Sequence, residues 1–358
     1  MNVLAYIPGQ RPDIKDSLLE SSYVQGRVKV ENGSKLIGAD IRNDEHDGTI
    51  RVSNSQIMGT VHCTTGEERY DIKNTLTKSG SITHGSNLDS VIQGYFSTID
   101  LTDAENAKVG DLSYIISDQP IGGRGLTTQF PRGTFLIDKN GFYLRVDMAN
   151  KDVDEAIQTR LHLRNEYVLD QLYEELQTGS PNGGFINPYA KFTGSKAYGN
   201  NFVAQRAAVF GSRLGTGTNV QEGCILQNVN TGKNTTFAHG AMALNSEIGS
   251  NCFVGFNGYL QNVTMDDNAI LLGSPTVKPT EDKRVHFQPG IYVGMIRTQK
   301  DADKARENFD RLLQKEVSAQ KFYQSFMNRL HHIQELNGGL PGANGHAQNH
   351  HALKYERI

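Results

Sequence analysis

The chain has 358 residues, enough for two or three domains. Its formal charge is −3, so no strong affinity for polyanions follows and nucleic acid is not expected as a partner. Gly accounts for 37 residues and Trp is absent, which suits tight repeated corners better than an α/β core.

Residues 1–150 read as a β-rich N-terminal domain, with short β-type runs broken by Gly, Asn and Asp. A Ser-x-aliphatic-x-Gly pattern returns at Ser22–Gly26, Ser34–Gly38, Ser55–Gly59 and Ser90–Gly94. Two folds fit it: an ordinary antiparallel β domain with recurrent turns, or a second β-solenoid with insertions. The run Phe135–Val146 predicts a hairpin turning at Asn140-Gly141. Residues 151–184 change to helical period: Val153, Ile157, Leu161, Leu169, Leu172 and Leu176 share one side of a helix over 152–177. TGSPNGG (178–184) then ends it and serves as a linker.

The most informative stretch is 218–277, inside a region running from 185 to 279. Small or aliphatic residues recur there about every sixth position, with Gly or Asn at the turns. That beat fits neither an amphipathic helix nor an alternating sheet. It predicts a parallel β-helix of hexapeptide repeats, of about five coils at about 18 residues each. Residues 280–336 are a loop and a long helix near 300–336, striped by Ala305, Phe309, Leu312, Leu313, Phe322, Phe326, Leu330 and Ile333. The Gly-, Asn- and His-rich tail, 337–358, has a disordered composition.

Three cysteines, Cys63, Cys224 and Cys252, show no metal-ligand spacing, and Cys224 and Cys252 occupy inward hexad positions as core thiols. The N-terminus lacks a basic start and a long apolar run, so no secretory signal is expected. No run of 18 apolar residues predicts a membrane span. A cytoplasmic location follows as the expectation. His46, His62 and His84 match no metal motif, Gly122–Gly125 lacks P-loop spacing, and His346, His350 and His351 read as tail histidines.

Short motifs then carry a family likeness. Arg213-Leu-Gly, Thr218–Leu226, Ala238-His-Gly-Ala241, Ile248–Gly255 and Gly273-Ser-Pro275, followed by a C-terminal helix, resemble the γ-class carbonic anhydrases over about residues 190–335. These are trimeric left-handed β-helix proteins of the hexapeptide-repeat superfamily. The resemblance implies a mainly β fold, a left-handed parallel β-helix with a long C-terminal helix, and a homotrimer. It also implies three histidine ligands around an interfacial metal. Laid on this chain, those positions hold Gln227, His239 and Leu244. A shift of one would place Asn245 at the third. An amide is a poor zinc ligand and Leu offers no lone pair, so no metal site and no cofactor are expected. Asn219 and Gln221 match polar residues of the family's cleft, Glu222 stands for its usual Asp, and Phe210-Gly-Ser212 replaces its Arg-Gly-Asp step.

His239 reads three ways: a relic ligand, the general base of an acyltransferase, or a remnant metal site. Asn219, Gln221 and Gln227 either line a cleft with it or stack in amide ladders that satisfy corner backbone groups. The leading functional expectation is a non-catalytic γ-carbonic-anhydrase-like trimeric scaffold binding protein partners through residues 1–180. One alternative is a hexapeptide-repeat acyltransferase using His239 on an acyl-CoA-type donor. The other is a divergent carbonic anhydrase with non-standard ligands.

Overall fold

In the computed structural model the chain divides into two compact units, Met1–Val153 and Asp154–His346. The structure describes the strands within residues 13–84, residues 88–145 and 150–164, and residues 185–328, with short gaps, and side chains only from Ser81 on.

The first unit is a parallel β-solenoid, which corrects the antiparallel alternative for residues 1–150. Its first coil has three short strands, Asp13–Ile14, Leu18–Glu20 and Tyr23–Val24. Each pairs in parallel with its equivalent one coil on: Asp13 with Lys29, Leu18 with Lys35, Tyr23 with Asp40. Two faces accumulate seven strands each. Bare coils advance by 16 residues, as Leu88 pairs with Ala104, Ile92 with Lys108 and Thr98 with Tyr114. The step lengthens where a loop interrupts: Val30 pairs with Val52 and Val109 with Phe130. That irregularity blurs the repeat in the sequence. The motifs beginning at Ser34, Ser55 and Ser90 supply strands Lys35–Ile37, Gln56–Ile57 and Ile92–Gln93 of one face. Leu88, Val91, Ile99, Ile115 and Ile121 fill the interior. The expected hairpin is present as Thr134–Asp138 against Phe142–Arg145, antiparallel, with its turn outside the described residues.

The second unit carries a more regular prism. One face stacks Phe185–Ile186, Phe202–Val203, Asn219–Val220, Thr236–Phe237 and Phe253–Val254. The second stacks Lys191–Thr193, Ala208–Phe210, Ile225–Gln227, Met242–Leu244 and Tyr259–Gln261. The long strand Ala269–Val277 continues both, and Gly290–Ile296 pairs in parallel beyond it. The third face runs from Lys196–Ala197 to Val285–Phe287. The ladder step is 17 residues, not 18: Phe202, Asn219, Thr236, Phe253 and Ile270 are successive partners.

The missing residue is lost at one corner. From Gly223 on, positive φ recurs at Asn228, Asn234, Gly240, Asn245, Asn251, Asn257, Asn262 and Asn268, in steps of five, six and six. Each corner turns through the left-handed region, where Gly pays nothing for a Cβ and Asn is the best-tolerated alternative. The asparagines also bond across coils: Asn228 Nδ2 donates to Asn245 Oδ1 at 3.0 Å and Asn234 Nδ2 to Asn251 Oδ1 at 3.3 Å.

Inward positions make one continuous core, including Val220, Leu226, Phe237, Ala243, Val254, Leu260 and Leu271. Successive strand residues point to opposite sides, so their neighbours face outward. On the first face that outward row is Asn219, Thr236, Phe253 and Ile270, all buried; on the second it is Ala208, Ile225, Met242, Tyr259 and Thr276, also buried. The third face differs: Lys196, Arg213, Asn230, Glu247 and His286 are exposed. The first two faces are thus more shielded than the third, although Phe202, Phe210, Gln227, Leu244 and Gln261 on them are half-buried.

Helix α1 spans Asn150–Arg164 and buries Val153 and Ile157, as its periodicity requires. The expected continuation to 177 lies outside the described residues. Helix α2 spans Gln299–Lys315. It opens on a reciprocal cap: Thr298 Oγ1 accepts from the Asp301 N–H at 3.2 Å, and Asp301 Oδ2 accepts from the Thr298 N–H at 3.0 Å. It packs Ala302 and Phe309 toward strand Gly290–Ile296. The described residues between Gln320 and Asn328 are helical too, and the tail from 337 lies outside the description.

Candidate functional site

His239 sits at the corner between the first and second faces, between strands Thr236–Phe237 and Met242–Leu244. Inter-coil bonds hold its backbone from both sides. Its N–H donates to Gln221 Oε1 at 3.2 Å, one coil earlier, and its carbonyl accepts the Asn257 N–H at 2.9 Å, one coil later. Its ring stacks on Phe256, with centroids 6.1 Å apart and planes 19° from parallel. Phe256 is His239 plus one 17-residue step, so the column itself brings the rings together. The residue is partly exposed, with Nδ1 shielded.

Beside it, the outward row of the first face turns polar. Asn219 and Thr236 are ladder partners, only 5% and 1% exposed. Among the described residues, Asn219 Oδ1 and Thr236 Oγ1 have no hydrogen-bond partner. Gln221 and His239 are therefore brought together, and Asn219 lies one strand position from that corner. Gln227 and Asn245 are placed at the other end of the second face. Gln227 is the ladder partner of Leu244, and Asn245 belongs to the exposed amide ladder. Two of the three positions where the resemblance puts histidines thus stack as Gln over Leu. Among the described residues, no three His, Cys, Asp or Glu side chains come together to hold a metal.

Sequence reasoning missed three residues around this corner. Arg160 of α1 is fully buried. Its Nε donates to the Asn257 carbonyl at 3.0 Å, Nη1 to the Ala156 carbonyl at 3.1 Å, and Nη2 to the Pro275 carbonyl at 3.1 Å and Thr276 Oγ1 at 2.8 Å. Its guanidinium lies over the Tyr259 ring at 5.5 Å. Burial pulls its pKa down to about 9, which leaves it a cation at neutral pH. Burial likewise raises the Tyr259 phenol to about 12, with Arg160 opposing the rise. Tyr259 Oη donates to Gln261 Oε1 at 2.8 Å. A charge between apolar residues of a helical pattern reads as a solvated one, so nothing local marked Arg160. Phe256 was findable had the 17-residue step been known.

The remaining candidates are structural or undescribed. Cys224 and Cys252 are buried; their Sγ–H groups reach the carbonyls of Ala238 and Asp266, each at 3.1 Å. Burial raises the Cys252 thiol to about 12, opposite to what a nucleophile needs. Glu222, the side chains of His46, His62, His84 and Cys63, and the tail histidines lie outside the described residues. Among the described residues no helix is long and apolar enough to cross a membrane.

Residues 40–160 match the family described as hexapeptide repeat including loop. That match falls mostly in the first unit, where loops lengthen the coils. No curated protein matches the chain. Among solved structures it is similar to a protein from Desulfovibrio desulfuricans G20 whose assignment as an acetyltransferase is provisional. The TM-score is 0.75 at 21% identity, over 91% of this chain and 81% of that one. At that identity the likeness shows the fold.

Proposed function

We propose that the protein is a hexapeptide-repeat acyltransferase in which His239 is the general base. The observation that carries this reading is an imidazole both fixed and reachable. Gln221 and Asn257 hold the backbone of His239 and Phe256 stacks on its ring, while the residue remains partly exposed at a prism corner. A general base needs that combination. The fold shared with a provisionally assigned acetyltransferase supports the same class.

In the proposed reaction His239 accepts a proton from an acceptor hydroxyl or amine. The freed oxygen or nitrogen attacks the carbonyl carbon of an acyl thioester and forms the new C–O or C–N bond. The C–S bond then breaks, and the departing thiolate takes its proton from the imidazolium. The active form in this proposal is a homotrimer. The test is a thermal-shift and thiol-release assay with acetyl-CoA and panels of amine and hydroxyl acceptors. Acetyl-CoA should raise Tm, and His239→Ala should lower turnover about 10²- to 10⁴-fold. Absence of both binding and thiol release would overturn the reading.

A second reading, the metal-free scaffold, keeps one specific support: Gln227 and Leu244 stacked at two family ligand positions. It requires residues 1–180 to capture a protein that residues 185–358 alone do not. A stoichiometric zinc, iron or cobalt in the purified protein would instead favour a divergent carbonic anhydrase.

A further inference from the structure

The base proposed above is connected to a buried cation. Asn257 gives its N–H to the His239 carbonyl at 2.9 Å and takes the Arg160 Nε–H on its own carbonyl at 3.0 Å. Phe256, whose ring lies against the imidazole, immediately precedes it. Asn257 holds a positive φ of 53°, as the other corner asparagines do. What sets this corner apart is Arg160, which reaches it from a helix nearly a hundred residues away in sequence. Its Nη2 binds Pro275 and Thr276, one coil further on, while Nη1 returns to the Ala156 carbonyl of its own helix. The guanidinium therefore ties the corner that carries Phe256 to the closing coil of the prism.

We infer that Arg160 is a positioning residue for His239, acting through Asn257 and Phe256 without touching substrate. This rests on His239 being the base, but the physical link can be read without any substrate. A planar guanidinium with several fixed donors can hold the Asn257, Pro275 and Thr276 oxygens together, whereas a lysine ammonium cannot reproduce that fork. Loss of the fork lets the Asn257 peptide turn and the Phe256 ring move, and the imidazole loses its stacking partner.

The experiment compares Arg160→Met, Arg160→Lys and Thr276→Val in the full chain. The first readout is the imidazole ¹H–¹⁵N signal of His239, assigned by its loss in His239→Ala. Arg160→Met should shift or broaden that signal. Arg160→Lys should restore it in part, and Thr276→Val should move it the same way by less. The second readout is acyl transfer: kcat should fall by about tenfold or more in Arg160→Met while KM for acetyl-CoA stays unchanged, as for misplacement of a reacting group. If Arg160→Met does not fold, Thr276→Val and Arg160→Lys decide the matter. A folded variant with an unmoved His239 signal overturns the inference. A moved signal in a protein that transfers no acyl group upholds the link and refutes the proposed reaction instead.

Discussion

Thr236, like its ladder partner Asn219, carries a buried side-chain oxygen out of balance with its surroundings. Its hydroxyl is shielded from water and has no hydrogen-bond partner among the described residues, and a polar group in that state costs about 1–3 kcal/mol. Thr236→Val keeps the shape and removes the oxygen. It should stabilise the protein by about 1 kcal/mol in urea unfolding. Cys252 offers a second residue-level test. Its folded pKa is raised to about 12 from an ordinary 9.0 by burial. Between these values the unfolded chain has lost a proton that the folded chain keeps, so stability falls as pH rises above 9. The slope should be about 1.4 kcal/mol per pH unit from this group alone. Chemical denaturation from pH 8 to 10.5 should show a shallower alkaline fall in Cys252→Ala than in the parent. Inward placement of both solenoid cysteines was legible in the hexad pattern. The unpaired state of Thr236 was not, because it depends on what lies over the first face.

At the scale of the element, the corners do most to specify the prism. Gly223 and Gly240 occupy the same corner one coil apart, both with positive φ, yet their surroundings differ. A Cβ on Gly240 would come within 2.3 Å of Asn257 Oδ1, whereas at Gly223 the nearest atom is 3.9 Å away. Gly223→Ala should cost about 1 kcal/mol for its backbone conformation, and Gly240→Ala about 2–3 kcal/mol; the order of the two melting temperatures checks this. Gly and Asn at the turns were visible in the sequence, and so was the solenoid. The five-residue corner was not, since one shortened hexad in three barely disturbs an apolar beat of about six. In the first unit, loops such as that between Val109 and Phe130 stretch the step further, which left its coils indistinguishable from an antiparallel domain. For α1 the apolar stripe was correct at Val153 and Ile157. Arg160 was hidden because its partners, Asn257 and Thr276, lie far away in sequence.

At the scale of the whole molecule, the two units share a construction but differ in regularity. The site candidate lies in the regular one, where a fixed step can align Gln221, His239 and Phe256. The trimer remains part of the proposed function. Light scattering should give three times the 39.5 kDa chain mass, and a single-chain mass would remove that part of the proposal. The exposed row Lys196, Arg213, Asn230, Glu247 and His286 makes the third face a poor apolar contact surface. The 17-residue step holds along the ladders as far as Ile270 and Thr276. Strand pairing ties each coil only to the coils next to it, as in other solenoids. Seventeen residues is therefore the natural quantum for lengthening or trimming this body. A duplicated segment of that size would slide in with every column continued, while residues added in any other number must bulge out as a loop, as they do in the longer step from Val263 to Val285.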